Sequence, residues 1–152
     1  VEVHEKEDLD TAFEAGARSI GLNIELPEEQ AGNTYTTRSM TFNHFFVRKV
    51  MLVKYATAFI MMPGGLGTLD ELTEVLTLMQ THKIKPFPVL LYSSDYWQGL
   101  LDWLRNTVFA QGLISGEDLN LLRICDSPDE IIEAVNRWRL KHELTGREAL
   151  TR

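Results

Sequence analysis

Two carboxylates three residues apart, Glu71 and Glu74, follow directly on a glycine-rich run, Pro63-Gly64-Gly65-Leu66-Gly67-Thr68-Leu69-Asp70-Glu71. Glycine lacks a Cβ, so a ligand can lie against bare N–H groups, and the backbone can take positive φ. The apolar run Ala58-Phe59-Ile60-Met61-Met62 before the glycines reads as a strand. Leu72-Thr73-Glu74-Val75-Leu76-Thr77-Leu78-Met79 after them reads as a helix. A helix starting there points its positive end at the glycines, which is a phosphate cradle in outline. Thr68 offers a hydroxyl either to a phosphate oxygen or to the helix start, and with Glu71 it has the T-x-x-E spacing of a capping box. A tight turn into a capped helix would use several of the same residues, so an architectural role for the motif stands beside the chemical one.

Upstream, His44, Arg48 and Lys49 fall in the segment Phe42 to Ala56, which has helical spacing and is apolar nearly all round, and is therefore expected to be largely buried. His44 and Arg48 are four apart and share a face of such a helix. A guanidinium on a buried helix needs an anionic partner, because an unpaired buried charge costs several kcal/mol. That partner is either a carboxylate of the next helix or an anionic ligand. His44 reads first as a core or interface histidine. Asp70 reads as a solvated residue at the helix start, which leaves Glu71 and Glu74 with the better claim to chemistry.

The elements that must position these groups alternate. Thr11 to Arg18 has the pattern of a helix end closed by Gly16, and Ser19 to Ile24 reads as a buried strand. Pro27 and the polar residues to Asn33 make a loop, and a short strand is expected within Tyr35 to Thr41. After the glycine turn, Leu69, Leu72, Leu76 and Met79 recur at helical spacing as the core face. Phe87 to Tyr92 is apolar without alternation, as in a parallel sheet covered on both faces. Ser93-Ser94-Asp95 is read as the cap of a helix from Tyr96 to Ala110, with Trp97, Leu100, Leu101, Leu104 and Val108 inward and Gly112 ending it. A short helix within Ser115 to Leu122, a strand at Ile124-Cys125 and a last helix from Pro128 to about Glu143 complete the order, with a frayed tail from Thr145. Strand and helix in alternation predict an α/β fold, a right-handed, doubly wound parallel sheet with helices on both faces.

The chain has 152 residues, a size that suits one domain with a sizeable core. A net charge of −7 repels nucleic acid, so a small anionic ligand needs a local positive site. The single cysteine, Cys125, permits neither an intramolecular disulfide nor a Cys-rich zinc site, and reads as a core residue in a reducing, cytoplasmic setting. No apolar run approaches the ~20 residues that span a bilayer, so no membrane partner is expected.

Taken together, Phe45-Phe46-Val47-Arg48-Lys49, a strand, and P-G-G-x-G-T-x-x-E from Pro63 to Glu71 resemble the Lonely Guy (LOG) family of nucleoside 5′-monophosphate phosphoribohydrolases, long labelled possible lysine decarboxylases. The resemblance runs from about Ala15 to Val135 and includes Gly21 to Pro27. It implies a Rossmann-like subunit that works as a homodimer or an assembly of dimers, without a metal or other cofactor. The implied reaction splits the N-glycosidic bond of an AMP-type nucleotide, releasing base, in known members a cytokinin, and ribose 5-phosphate. By motif, Arg48 and Glu71 are the catalytic pair; Lys49, Gly64, Gly65, Gly67, Thr68 and Glu74 bind substrate. The family carries an earlier strand and a second glycine-rich loop that Val1 to Asp10 do not match, so truncation, removed segments or an altered pocket are open alternatives.

Two rivals accompany this expectation. One is a carrier of the same fold that binds a nucleotide or another anionic cofactor and returns it intact. The other is the decarboxylase label, which calls for pyridoxal phosphate on a lysine; Lys49, Lys54, Lys83 and Lys85 have no setting that singles one out.

Overall fold

The computed structural model describes residues 16–25 and 36–150, with side chains to Lys141. The lead-in Val1 to Asp10, most of the helix end before Gly16 and the loop from Pro27 to Asn33 lie outside the described residues. The chain divides into two compact units, Val1–Ala56 and Thr57–Arg152.

In the first unit, β1 (Ile20–Ile24) and β2 (Arg38–Phe42) pair in parallel, Leu22 opposite Met40, and α1 (Phe45–Lys54) follows. Gly16 takes φ +72°, the left-handed conformation that a helix-closing glycine supplies at no steric cost. The strand at β1 is half-buried rather than buried, and among the described residues its one neighbouring strand is β2. The expectation of a buried α1 is also corrected. Its hydrophobic composition is real, but no residue of it is fully buried, and Phe45, Phe46 and Val50 are exposed. Helix α1 begins after His44, whose extended backbone forms the N-cap and whose carbonyl accepts from Val47 and Arg48 N–H.

The second unit is a three-stranded parallel sheet, β3 (Phe59–Met61), β4 (Val89–Tyr92) and β5 (Leu122–Cys125), with β4 in the middle. Successive strands are joined through helices, α2 (Leu66–Gln80) between β3 and β4, and α3 (Ser94–Trp103) between β4 and β5. Both crossovers step the same way across the sheet, so the right-handed rule puts both helices on one face. The final helix covers the other: Ile131, Ala134 and Val135 pack with Ile60, Leu90 and Cys125. Because both faces are covered, Val89, Leu90 and Leu91 are all buried, which accounts for the unalternating apolar run. The fold is α/β, with parallel strands flanked by helices in a Rossmann-like arrangement.

Helix α2 turns Leu72, Val75 and Met79 into the core, each worth about 1.5–3 kcal/mol if fully buried. Leu72 and Met79 are buried as the sequence pattern predicts, Val75 joins them, and Leu69 and Leu76 are half-buried at the stripe's margin. From α3, Trp97 and Leu101 are buried as expected, and the helix runs on through a π-helical turn, Leu104–Phe109, to Gly112 at φ +71°. A short α4 (Gly116–Leu119) is capped reciprocally by Ser115 and Asp118. The last helix, α5 (Pro128–Leu150), outruns its expected end near Glu143, since Gly146 is its sole strong helix breaker after Pro128 and costs only about 1 kcal/mol.

Candidate functional site

Strand β3 ends at Met61, and the chain passes through Pro63, Gly64 and Gly65 directly into α2. Gly65, in an extended conformation, is the N-cap, and no side chain caps the helix. The first intrahelical bond joins Leu69 N–H to the Gly65 carbonyl at 3.1 Å. The amides of Gly65, Leu66, Gly67 and Thr68 are therefore left at the positive end of the helix without intrahelical acceptors. This geometry corrects the capping-box reading. Thr68 lies one turn inside the helix, where its side chain is buried, and Glu71 lies in the second turn.

The glycines also serve differently from expectation, since none of Gly64, Gly65 and Gly67 has positive φ. At Gly64 the requirement is space: an added Cβ would sit 2.2 Å from the Thr68 Oγ1. At Gly65 and Gly67 an added Cβ would meet nothing within 4 Å, so their backbone borders open space. One glycine lets the turn close on Thr68; the other two leave it approachable.

Glu71 and Glu74 project from α2 three residues apart and both are half-buried, with the Oε2 of Glu74 shut off from solvent. Asp70 is exposed, in line with a solvated role. A carboxylate one turn beyond a set of open amides can stabilise positive charge on a group anchored through its phosphate, or orient water toward it.

Arg48 and Lys49 belong to the first unit, where both are half-buried. Arg48 Nε donates to the Leu22 carbonyl of β1 at 2.7 Å, which ties the side chain to that strand. His44 does not share a helical face with Arg48: it precedes the helix, is exposed, and stacks on Phe46 at 5.5 Å between ring centroids.

Sequence reasoning missed the β4–α3 connection. Parallel strands bring the C-terminal ends of β3, β4 and β5 to one edge, where ligands of open α/β sheets bind. At that edge Tyr96 Oη–H donates to the Gly64 carbonyl, Ser94 N–H donates to Asp126 Oδ1 at 2.6 Å, and Ser93 N–H donates to the Cys125 carbonyl at 3.0 Å. Ser93 itself takes φ +81°, a conformation costing a non-glycine residue about 1–3 kcal/mol. Its position at the end of a buried strand was the available signal, but Ser93-Ser94-Asp95 read as an ordinary cap. Among the described residues no group of three or more His, Cys, Asp or Glu side chains could hold a metal ion, and no helix is long and apolar enough to cross a membrane.

The model of a family described as possible lysine decarboxylase matches residues 7–135. The chain is 32% identical over 135 residues to cytokinin riboside 5′-monophosphate phosphoribohydrolase LOG1 of Arabidopsis thaliana, covering 86% of this chain and 62% of that protein. It is likewise 32% identical to LOG3 of the same plant, over 86% of this chain and 60% of the relative. A bacterial relative, the cytokinin riboside 5′-monophosphate phosphoribohydrolase of Rhodococcoides fascians, is 26% identical over 82% of this chain and 63% of its own length. The chain thus spans about three-fifths of the length of these curated relatives. With the family match covering the β1 strand, Arg48-Lys49, the glycine turn and both glutamates, the chain belongs to the LOG family, whose model carries the description possible lysine decarboxylase.

Proposed function

We propose that the protein hydrolyses the N-glycosidic bond of a purine nucleoside 5′-monophosphate, of AMP or cytokinin type, to free base and ribose 5-phosphate. The observation that carries this reading is the start of α2: four successive amides without intrahelical acceptors, bordered by open glycines, with Glu71 one turn further on. The names of the relatives supply the substrate class.

In this reading the 5′-phosphate rests on the amides of Gly65 to Thr68 and the Thr68 side chain supports the turn from beneath. As the bond from C1′ to the base nitrogen breaks, the electron pair leaves with the base and positive charge develops on the sugar ring. Glu71 stabilises that charge and orients a water, whose oxygen bonds to C1′; the water's proton is passed on to the departing base. By its place in the family motif, Arg48 is the second residue proposed as catalytic. By the same motif Lys49 is proposed as a substrate-binding residue, and on α2 Glu74 is proposed to contact the ribose hydroxyls. The same proposal makes the working form a homodimer or an assembly of dimers, supported by the exposed apolar residues Phe45, Phe46 and Val50, and its setting cytoplasmic, supported by a lone, buried thiol.

Incubating the full-length protein with AMP and with a cytokinin riboside 5′-monophosphate, and following free base and ribose 5-phosphate by chromatography, tests the reading. Release of both products from either nucleotide is the expected outcome. Tight binding with the nucleotide recovered intact would replace the enzyme with a carrier of the same fold.

A further inference from the structure

The hydroxyl of Tyr96 reaches from the first turn of α3 to the Gly64 carbonyl, 2.5 Å away, across from the β4 end to the β3 end of the sheet edge. Gly64 is the residue that packs directly on Thr68, so its peptide orientation is coupled to the first turn of α2. The side chain of Tyr96 is otherwise half in solvent, with its ring edge-on to the buried Trp97 at 4.9 Å between centroids. Trp97 fixes where the tyrosine ring can stand; the hydroxyl then fixes the turn.

The start of α3 is itself held at a cost. Ser93 is kept at φ +81° while its N–H and that of Ser94 are tied to Cys125 and Asp126 at the end of β5. Backbone in such a conformation persists only where its surroundings over-determine it, and such residues gather at sites where geometry matters. Here the geometry set by that conformation is the launch of the helix turn that carries Tyr96. A chain of contacts therefore runs from β5 through Ser93 and Ser94 to Tyr96, and from Tyr96 to the carbonyl of the glycine turn.

From this we infer that Tyr96 is a positioning residue for the phosphate site: its hydroxyl holds the Gly64 peptide so that the amides at the start of α2 converge on the anion. The inference rests on the phosphate-cradle part of the proposed function and adds a residue that neither the glycine motif nor the catalytic pair includes. Tyr96 acts through Gly64 and takes no part in bond breaking.

The test is Tyr96→Phe, which keeps the ring against Trp97 and removes only the hydroxyl. Loss of one neutral hydrogen bond predicts a roughly three- to tenfold weaker affinity for inorganic phosphate and for AMP in calorimetric titration, and a KM raised by the same factor. The kcat should stay within about twofold, because the bond-breaking groups are untouched. Thermal unfolding measured in parallel identifies a merely structural tie: a lowered Tm with unchanged phosphate affinity would overturn the inference, as would unchanged affinity with lowered kcat. If the wild-type protein binds AMP without hydrolysing it, the phosphoribohydrolase reading fails while the titrations still decide the role of Tyr96. If the wild-type protein binds neither inorganic phosphate nor AMP, the inference fails at the cradle itself.

Discussion

Gly64 and Gly67 lie three residues apart in one motif, yet a methyl group would meet a different fate at each. At Gly64 it would collide with the Thr68 hydroxyl; at Gly67 it would enter open space. Gly64→Ala is expected to destabilise the fold by about 1–3 kcal/mol through overpacking, read as a fall in the denaturation midpoint. Gly67→Ala should leave stability unchanged or raise it by up to about 1 kcal/mol, the helix propensity gained. It should nevertheless weaken AMP binding, because the new methyl group borders the surface a phosphate would approach; equal effects of the two variants on stability would contradict this division. The motif was legible in the sequence, but the reason for each glycine was not, since close approach and positive φ leave the same letter. The capping alternative for Thr68 fails for a similar cause: T-x-x-E has the same spacing whether the threonine caps a helix or sits one turn inside it. Cys125 was legible as a core residue, and burial pushes its thiol up from the ordinary range. It should react with a thiol reagent at pH 8 only after denaturation; rapid labelling of the folded protein would show the strand end to be open.

Among the elements, the second unit follows its sequence closely because each of its devices is local. The β4 run is apolar and unalternating, Gly112 stops the helix begun at Ser94, and Pro128 opens α5 after Ser127, whose hydroxyl accepts from Glu130 N–H. Helix α4 supplies a test of such local devices. The Asp118 carboxylate accepts from the Ser115 backbone and from the Ser115 and Gln80 side chains, and these bonds, the backbone one foremost, hold its pKa below the usual carboxylate range. A depressed folded-state pKa gives a contribution fully present above the unfolded value and lost as pH falls through the folded one. Asp118→Ala should therefore cost about 1 kcal/mol at neutral pH, the worth of a cap, and the deficit should shrink below about pH 4. A deficit independent of pH would assign the loss to something other than the carboxylate. The first unit was less legible. Helix α1 has the composition of a buried element, and composition does not say which surface buries it.

For the whole molecule that exposed face makes a prediction. Phe46 is 66% exposed on a helix that also exposes Phe45 and Val50, and exposed apolar patches mark interaction surfaces. If homodimerisation covers it, Phe46→Glu should convert a dimer to a monomer in light scattering while leaving the helical circular dichroism signal intact; a wild-type monomer at micromolar concentration would remove the dimer from the account. Family membership was legible across both units, in Arg48-Lys49 and in the glycine motif, because motifs survive where tertiary packing does not show in sequence. The proposed reaction depends above all on Glu71, as the carboxylate that turns a phosphate-anchored nucleotide into free base and ribose 5-phosphate. The most direct test is to compare wild type and Glu71→Gln in one incubation with a cytokinin riboside 5′-monophosphate, following base release alongside nucleotide binding. The wild type should form product and the variant should lose at least about a hundredfold in turnover, the scale of a removed general acid–base group, with binding retained within a few fold. Equal turnover by both proteins would contradict that role of Glu71.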